Sequence, residues 1–295
     1  MTCIRYVDHS FHKKSRDLLD QLNLVLAEFD RQGFTLTVRQ LYYQAVARAL
    51  LPENTAEQYD KICTLVKNGR LAGLIDWGLI EDRGRSFTER NRWDSPADIL
   101  DAAARDYHQD MWRTQAIRPW VVVEKDALTG ILEPVCHELD VPLLAARGYA
   151  SMSAFHEFAL ERLNPAIAAG QRVLVLHLGD HDPSGIDMTR DLTDRIALFT
   201  GRQIQVNRLG LNFDQVQKFN PPSNFAKDKD SRTPAYTKQF GSACWELDAL
   251  APAFLANLVR NAIEALIDWD AWDDAAVAIA STRKRLQVLA EEWQA

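Results

Sequence analysis

The sequence predicts a protein in two parts: an all-α-rich N-terminal domain, then an α/β domain with a mostly parallel sheet. Three observations carry this. From Pro119 onward, short apolar runs ending in charge or glycine alternate with stretches of helical periodicity. Before that point, apolar residues recur at helical spacing, punctuated by glycine and proline. And 295 residues, 47% of them hydrophobic and 25% charged, suffice for two globular domains of ordinary size.

Leu18, Leu22, Val25, Leu26 and Phe29 share one face of a predicted helix over 14–31, which Gly33 stops. Thr37 is placed to cap a second helix reaching residue 50. Past the turn at Pro52, residues 55–69 predict a third, with Tyr59, Ile62 and Val66 inward. Short apolar pieces over 74–77 and 79–80, broken by Gly73 and Gly78, suit a hairpin, or wing, closing a three-helix DNA-binding domain. An arginine-rich loop follows: Arg83, Arg85, Arg90 and Arg92, with Phe87 and Trp93 interleaved. Arginines beside aromatics can hold phosphates and stack on bases. A solvated loop accounts for them equally well.

Residues 95–117 predict a connecting helix carrying Ile99, Ala102, Ala103, Tyr107 and Trp112. Strands are then expected at 121–125, 142–146, 173–178 and 204–209, and helices at 127–139, 153–169 and 183–200. Short loops between them imply helices on both faces of the sheet. Residues 211–243 look irregular, with Lys218, Lys227, Lys229, Arg232 and Lys238 among Phe219, Phe225, Tyr236 and Phe240. So long a loop is either functional or packed on a second copy of the chain. A helical tail runs from Trp245, with Pro252 early in it. The expected division is therefore 1–94, 95–117, 118–250 and 251–295.

Cys3, Cys63, Cys136 and Cys244 form no CxxC pair, which argues against zinc and for reduced thiols in a cytoplasmic protein. No stretch approaches the ~20 apolar residues of a membrane span. The net charge of −7 gives no general attraction to nucleic acid, yet a basic face can coexist with acidic ligands.

The chemistry centres on Leu176 to Met188, LHLGDHDPSGIDM. Asp180 and Asp182 follow an apolar strand, and residues two apart in extended chain share a side. At the carboxyl end of a parallel sheet they would face a crevice, where like charges repel unless a cation joins them. Glu124, ending the first strand, would reach the same edge. Mg²⁺ or Mn²⁺ suits such oxygens and neutralises phosphate charge. Gly179 and Gly185 allow close backbone approach. Lys125 could face a phosphate or be a surface residue. A plainer account makes Asp182 the cap of a helix with Pro183 at its first turn. His181 points to the other side of the chain. There is no GxxxxGK[ST] phosphate loop.

The segments VVVEKDALTGIL and LHLGDHDPSGIDM, with TVRQLYY upstream, resemble the topoisomerase VI A subunit and the related meiotic double-strand-break protein, over roughly residues 10 to 250. That resemblance implies a winged-helix-like domain joined to a Toprim domain. By position it makes Tyr43 the nucleophile, Arg39 its arginine, and Glu124, Asp180 and Asp182 the metal ligands. It implies DNA double-strand cleavage through a 5′-phosphotyrosyl link, in a homodimer where one subunit's tyrosine meets the other's acids. Such a protein is an isomerase or a nuclease. Two alternatives stand beside it: a Toprim nuclease using metal-activated water, and a non-catalytic DNA-binding module that needs a partner. On a helix, one of Tyr42 and Tyr43 is expected in the core and the other at the surface. Glu246 and Asp248, in a WELDAL segment resembling a motif near the end of Toprim regions, are either outer partners of the site or ordinary helix-start acids. Little chain precedes the first helix, where the family docks an ATPase B subunit, so a compact, stand-alone version is expected.

Overall fold

The computed structural model describes residues 3–81, 90–146, 152–225 and 230–292. Three helices come first: α1 (Lys13–Asp30), α2 (Val38–Ala47) and α3 (Ala56–Leu71). Helix α1 buries Leu19, Leu22, Val25, Leu26 and Phe29, a stripe at three- and four-residue spacing. Thr37 and Gln40 close a reciprocal capping box at the start of α2, with Gln40 N–H donating to Thr37 Oγ1 (3.2 Å) and Thr37 N–H to Gln40 Oε1 (2.8 Å). The helix stops at Ala47, three residues short of expectation, where Ala49 takes a left-handed φ of 55°.

The expected wing is not a hairpin. Asp76 Oδ1 accepts the Gly78 N–H at 2.8 Å and closes a single 3₁₀ turn over Trp77–Leu79. Ile80 then pairs with Leu36 in one isolated parallel bridge. Leu36, Leu41, Ile62, Val66, Ile75 and Ile80 make the core of this helical part, joined by Ala249 from far along the chain.

The predicted connecting helix is shorter than expected. Helix α4 (Pro96–Asp106) ends where Asp110 takes the Trp112 N–H (3.0 Å) and Asp140 the Met111 N–H (2.8 Å). These side chains compete with the helical ladder and turn the chain into the sheet. Ile99 is exposed on α4.

Four strands form one parallel sheet: β1 (Ile117–Val123), β2 (Leu143–Ala145), β3 (Arg172–Leu178) and β4 (Gln205–Gly210), in the order β2-β1-β3-β4. Their apolar runs alternate between two cores. Val121, Val123, Leu174 and Leu176 face one layer; Trp120, Val122, Val173 and Val175 face the other. The first layer is α5 (Thr129–Glu138) and α11 (Pro252–Glu264). The second is α8 (Pro183–Thr200), with the run α6 (Met152–Glu157), a π turn and α7 (Asn164–Ala168). The chain is thus a mixed α/β protein with helices on both sheet faces. It leaves β1 for β2 on one side and returns to β3 and β4 on the other. The reversal lies between β1 and β3, where parallel sheets open a crevice at their carboxyl ends.

The stretch expected to be irregular is ordered by short elements: α9 (Phe213–Phe219), α10 (Thr233–Phe240), and an antiparallel pair of β5 (Ser223–Phe225) with β6 (Ala243–Trp245). None exceeds eight residues, too short for periodicity to declare them. Trp245 is therefore a strand residue and not the start of the tail, whose first helix begins with Pro252 at N1. Helix α12 (Trp269–Glu292) packs on α4, and Arg283 Nε donates to the Tyr107 carbonyl at 2.8 Å.

Candidate functional site

The pairing of Val123 with Leu178 places Glu124 beside Gly179 at the β1/β3 edge. Asp180 N–H donates to Glu124 Oε2 at 2.9 Å, so the two acids are locked together by backbone. A side chain at Gly179 would press on that same Oε2, with its Cβ 3.0 Å away. Asp180 Oδ1 accepts the Leu247 N–H at 2.8 Å, and its Oδ2 lies 3.0 Å from Lys125 Nζ. Asp182 does cap α8: its Oδ1 accepts the Gly185 N–H (2.6 Å) and the Ser184 hydroxyl (2.8 Å). Its carboxylate lines the cleft as well, so the cap and the site are one residue's two roles. His181 points away, buried, with Nδ1 2.7 Å from the Tyr236 hydroxyl and Phe240 and Trp245 around its ring.

Residues from three regions far apart in sequence complete a cleft of about 940 Å³. Helix α2 contributes Arg39 and Tyr43, one turn apart. Arg39 Nη2 reaches both oxygens of Glu246 at 2.6 Å, across 207 residues, and donates to the Tyr43 hydroxyl at 3.4 Å. Its Nε is 3.7 Å from Asp248 Oδ2. Lys125 Nζ touches three carboxylates, Glu246 at 2.7 Å, Asp248 at 2.9 Å and Asp180 at 3.0 Å. Gln40 Nε2 ties α2 to the Ala127 carbonyl (3.4 Å), and Asn54 Nδ2 reaches Asn224 Oδ1 (2.8 Å), whose amide meets Glu246 (3.3 Å).

Both tyrosines are buried. Tyr42 spends its hydroxyl on Asn54 Oδ1 and the Thr55 backbone (2.9–3.0 Å). Tyr43 is only 3% exposed, its ring in the helical core and its hydroxyl at the cleft. The Arg-rich loop contributes nothing to this cleft among the described residues: Arg90 and Arg92 are exposed and away from it, and Arg83 and Arg85 lie outside the described residues. Lys227 and Lys229 lie outside them too. Lys125 is no surface lysine; its side chain is 19% exposed and engaged on every side. Glu246 and Asp248 are the residues sequence reasoning undervalued. Their spacing repeats the Asp-x-Asp pattern, but nothing local says that they follow a strand.

The electrostatics follow from burial among like charges. Burial pushes Asp180 up to about 7 despite the Lys125 ammonium. Burial and the Asp182 charge raise Glu124, against the pull of the Asp180 N–H. Glu246 is also penalised by burial, but Lys125 and then Arg39 hold it at about 2. Tyr43 is raised well above the ordinary phenol range by burial and the Glu246 and Asp248 charges, which the Arg39 guanidinium only partly offsets.

Among the described residues, no three His, Cys, Asp or Glu side chains stand in ready-made metal-ligand geometry. The donors nevertheless fit a hard cation. Glu124 Oε1 and Asp182 Oδ2 have no hydrogen-bond partner among the described residues, and they belong to mutually repelling carboxylates at one cleft. Asp248 Oδ2 is buried and likewise lacks a hydrogen bond. Oxygen donors of this kind suit Mg²⁺ or Mn²⁺ and not softer metals. No family model matches this chain, and no curated protein matches it. Among the described residues no helix is long and apolar enough to cross a membrane.

Proposed function

We propose that this chain cleaves DNA phosphodiester bonds in a reaction dependent on Mg²⁺ or Mn²⁺, with Tyr43 as the nucleophile. One observation carries the proposal: Arg39 and Tyr43 line the same cleft as Glu124, Asp180 and Asp182, although the helical segment and the sheet edge are more than eighty residues apart. A bound cation there would lower the negative charge on a scissile phosphate. Glu124, Asp180 and Asp182 would hold it. Arg39 would hold the Tyr43 hydroxyl in place, as it does now at 3.4 Å, and offer a guanidinium to the phosphate. The phenolic oxygen would bond to phosphorus and the 3′ oxygen would leave, ending as a 3′-hydroxyl. Because Tyr43 and the acids of one chain line one cleft, a homodimer would supply one cleft per strand without the meeting of one subunit's tyrosine with the other's acids that the resemblance implies. An ATPase B-type partner is needed only if strand passage follows.

The burial and raised proton affinity of Tyr43 support a second reading, hydrolysis by metal-activated water, with Tyr43 as a contact residue. Incubation with supercoiled DNA and Mg²⁺ or Mn²⁺, then denaturation and proteolysis, separates the two. Protein left on 5′ ends and lost in Tyr43→Phe supports the tyrosyl route. Free 5′ phosphates from an active Tyr43→Phe variant would replace it with hydrolysis. Binding without cutting, unchanged by Glu124→Gln, would leave a DNA-binding module.

A further inference from the structure

The proposed site leaves open how many cations it takes, and Lys125 bears on that. An ammonium has three donors, and those of Lys125 find three carboxylates within 3.0 Å: Asp180, Glu246 and Asp248. These come from different parts of the chain, the end of β3 and the segment after β6, and converge on one point. Asp248 is fully buried there, with 0% side-chain exposure. Oxygens from three carboxylates around one centre are what a second hard cation would use. Here the centre already carries a covalently tethered positive charge.

Arg208 stands behind the sheet edge, donating to the Gly179 and Asp180 carbonyls at 2.9 and 2.6 Å. The oxygens that lack a hydrogen bond among the described residues, Glu124 Oε1 and Asp182 Oδ2, lie on the acids that Lys125 does not touch.

We propose that Lys125 occupies, with its own side chain, the position of a second cation, so that the cleft binds a single divalent ion on the Glu124 and Asp182 side. This rests on the metal-dependent reading above. Asp180 is shared: one oxygen faces Lys125, and its backbone N–H fixes Glu124. Lys125 is thus a positioning residue for the acids.

Binding of Mn²⁺ to the full chain without DNA, followed by electron paramagnetic resonance of the free ion, tests the stoichiometry apart from activity. The expected result is one Mn²⁺ per chain. Its affinity should drop in Glu124→Gln by more than the roughly 10–100-fold cost of losing an outer partner of a metal site. Lys125→Met should open the Asp180, Glu246 and Asp248 oxygens and raise the count to two. Two ions on the wild-type chain, or still one on a Lys125→Met chain with wild-type circular dichroism, overturns the proposal and leaves the metal reading intact. No binding to the wild type sinks the metal reading and this inference together. If Lys125→Met does not fold, the wild-type count alone decides.

Discussion

The β1/β3 edge and the segment from 211 to 250 meet in one cleft, yet they are built in opposite ways. The edge is local. Apolar runs make strands, the strands end in Glu124 and Gly179-Asp180, and the two-residue period aims Asp180 and Asp182 together. The later segment is held from outside itself. The Trp245 N–H and carbonyl pair with His181 (3.0 and 2.8 Å), the Leu247 N–H goes to Asp180, and Glu246 is gripped by Arg39 and Lys125. The comparison teaches that half of a site can follow from a short-range pattern while the other half exists only once the chain has folded back.

Five expected effects sharpen that contrast. The largest effect is expected where the later segment anchors the edge. Leu247 is fully buried, and Leu247→Ala should cost about 2–5 kcal/mol in urea denaturation. A smaller loss would mean that this segment is a passive cover. Next come the edge acids. Glu124→Gln and Asp182→Asn should each slow the proposed DNA cleavage by about 100-fold or more, equivalent to about 2.7 kcal/mol. Asparagine is as good a helix cap as aspartate, so Asp182→Asn keeps α8 and removes only the charge. Full activity in that variant would reduce Asp182 to its capping role.

Gly185→Ala is expected to cost about 1–3 kcal/mol, because the added Cβ would overlap the Asp180 carbonyl oxygen. An unchanged melting temperature would show that the α8 start shifts freely. Acid should reveal the interior of β3. Burial, and then the Arg208 charge, lower His177 to about 3 from an ordinary 6.5, with the ring 2.9 Å from Thr189 Oγ1. Below pH 6.5 the unfolded chain takes up a proton that the folded chain refuses. Its stability contribution is therefore complete above 6.5 and is lost as pH falls toward 3, by about 1.4 kcal/mol per pH unit. A His177→Asn chain whose stability falls as steeply between pH 6.5 and 5 would refute this. The smallest effect belongs to Thr37→Ala, about 1 kcal/mol from the loss of the α2 capping box, read by thermal denaturation.

Particular residues show where legibility ended. Asp182 as both cap and acid, Thr37 as cap, and Pro183 at the start of α8 were readable because each signal spans three or four residues. Lys125 was not. Its neighbours in sequence say only that it follows a strand, whereas its three partners lie 55 to 123 residues away. Tyr43 was readable as a motif but not as a buried group. Two adjacent tyrosines on a helix suggest one core and one surface residue, but α2 is packed between α1 and α3, and both rings enter the helical core, Tyr42 against Tyr59 of α3. The wing failed for a local reason, since the Asp76 carboxylate outcompeted the hairpin for the Gly78 N–H.

By itself the sequence determined the alternation of strands and helices, the parallel sheet they form, and the acids at its carboxyl edge. Hydrophobic period and capping chemistry act over a few residues, and they are written in order along the chain. Only the tertiary structure decided that β1 and β3 are neighbours at the point of reversal, and that α2 brings Arg39 and Tyr43 to the same cleft. It also decided that Glu246 and Asp248 surround Lys125. Those choices depend on which charges lose water together, and a carboxylate's partner is set by burial and distance in space.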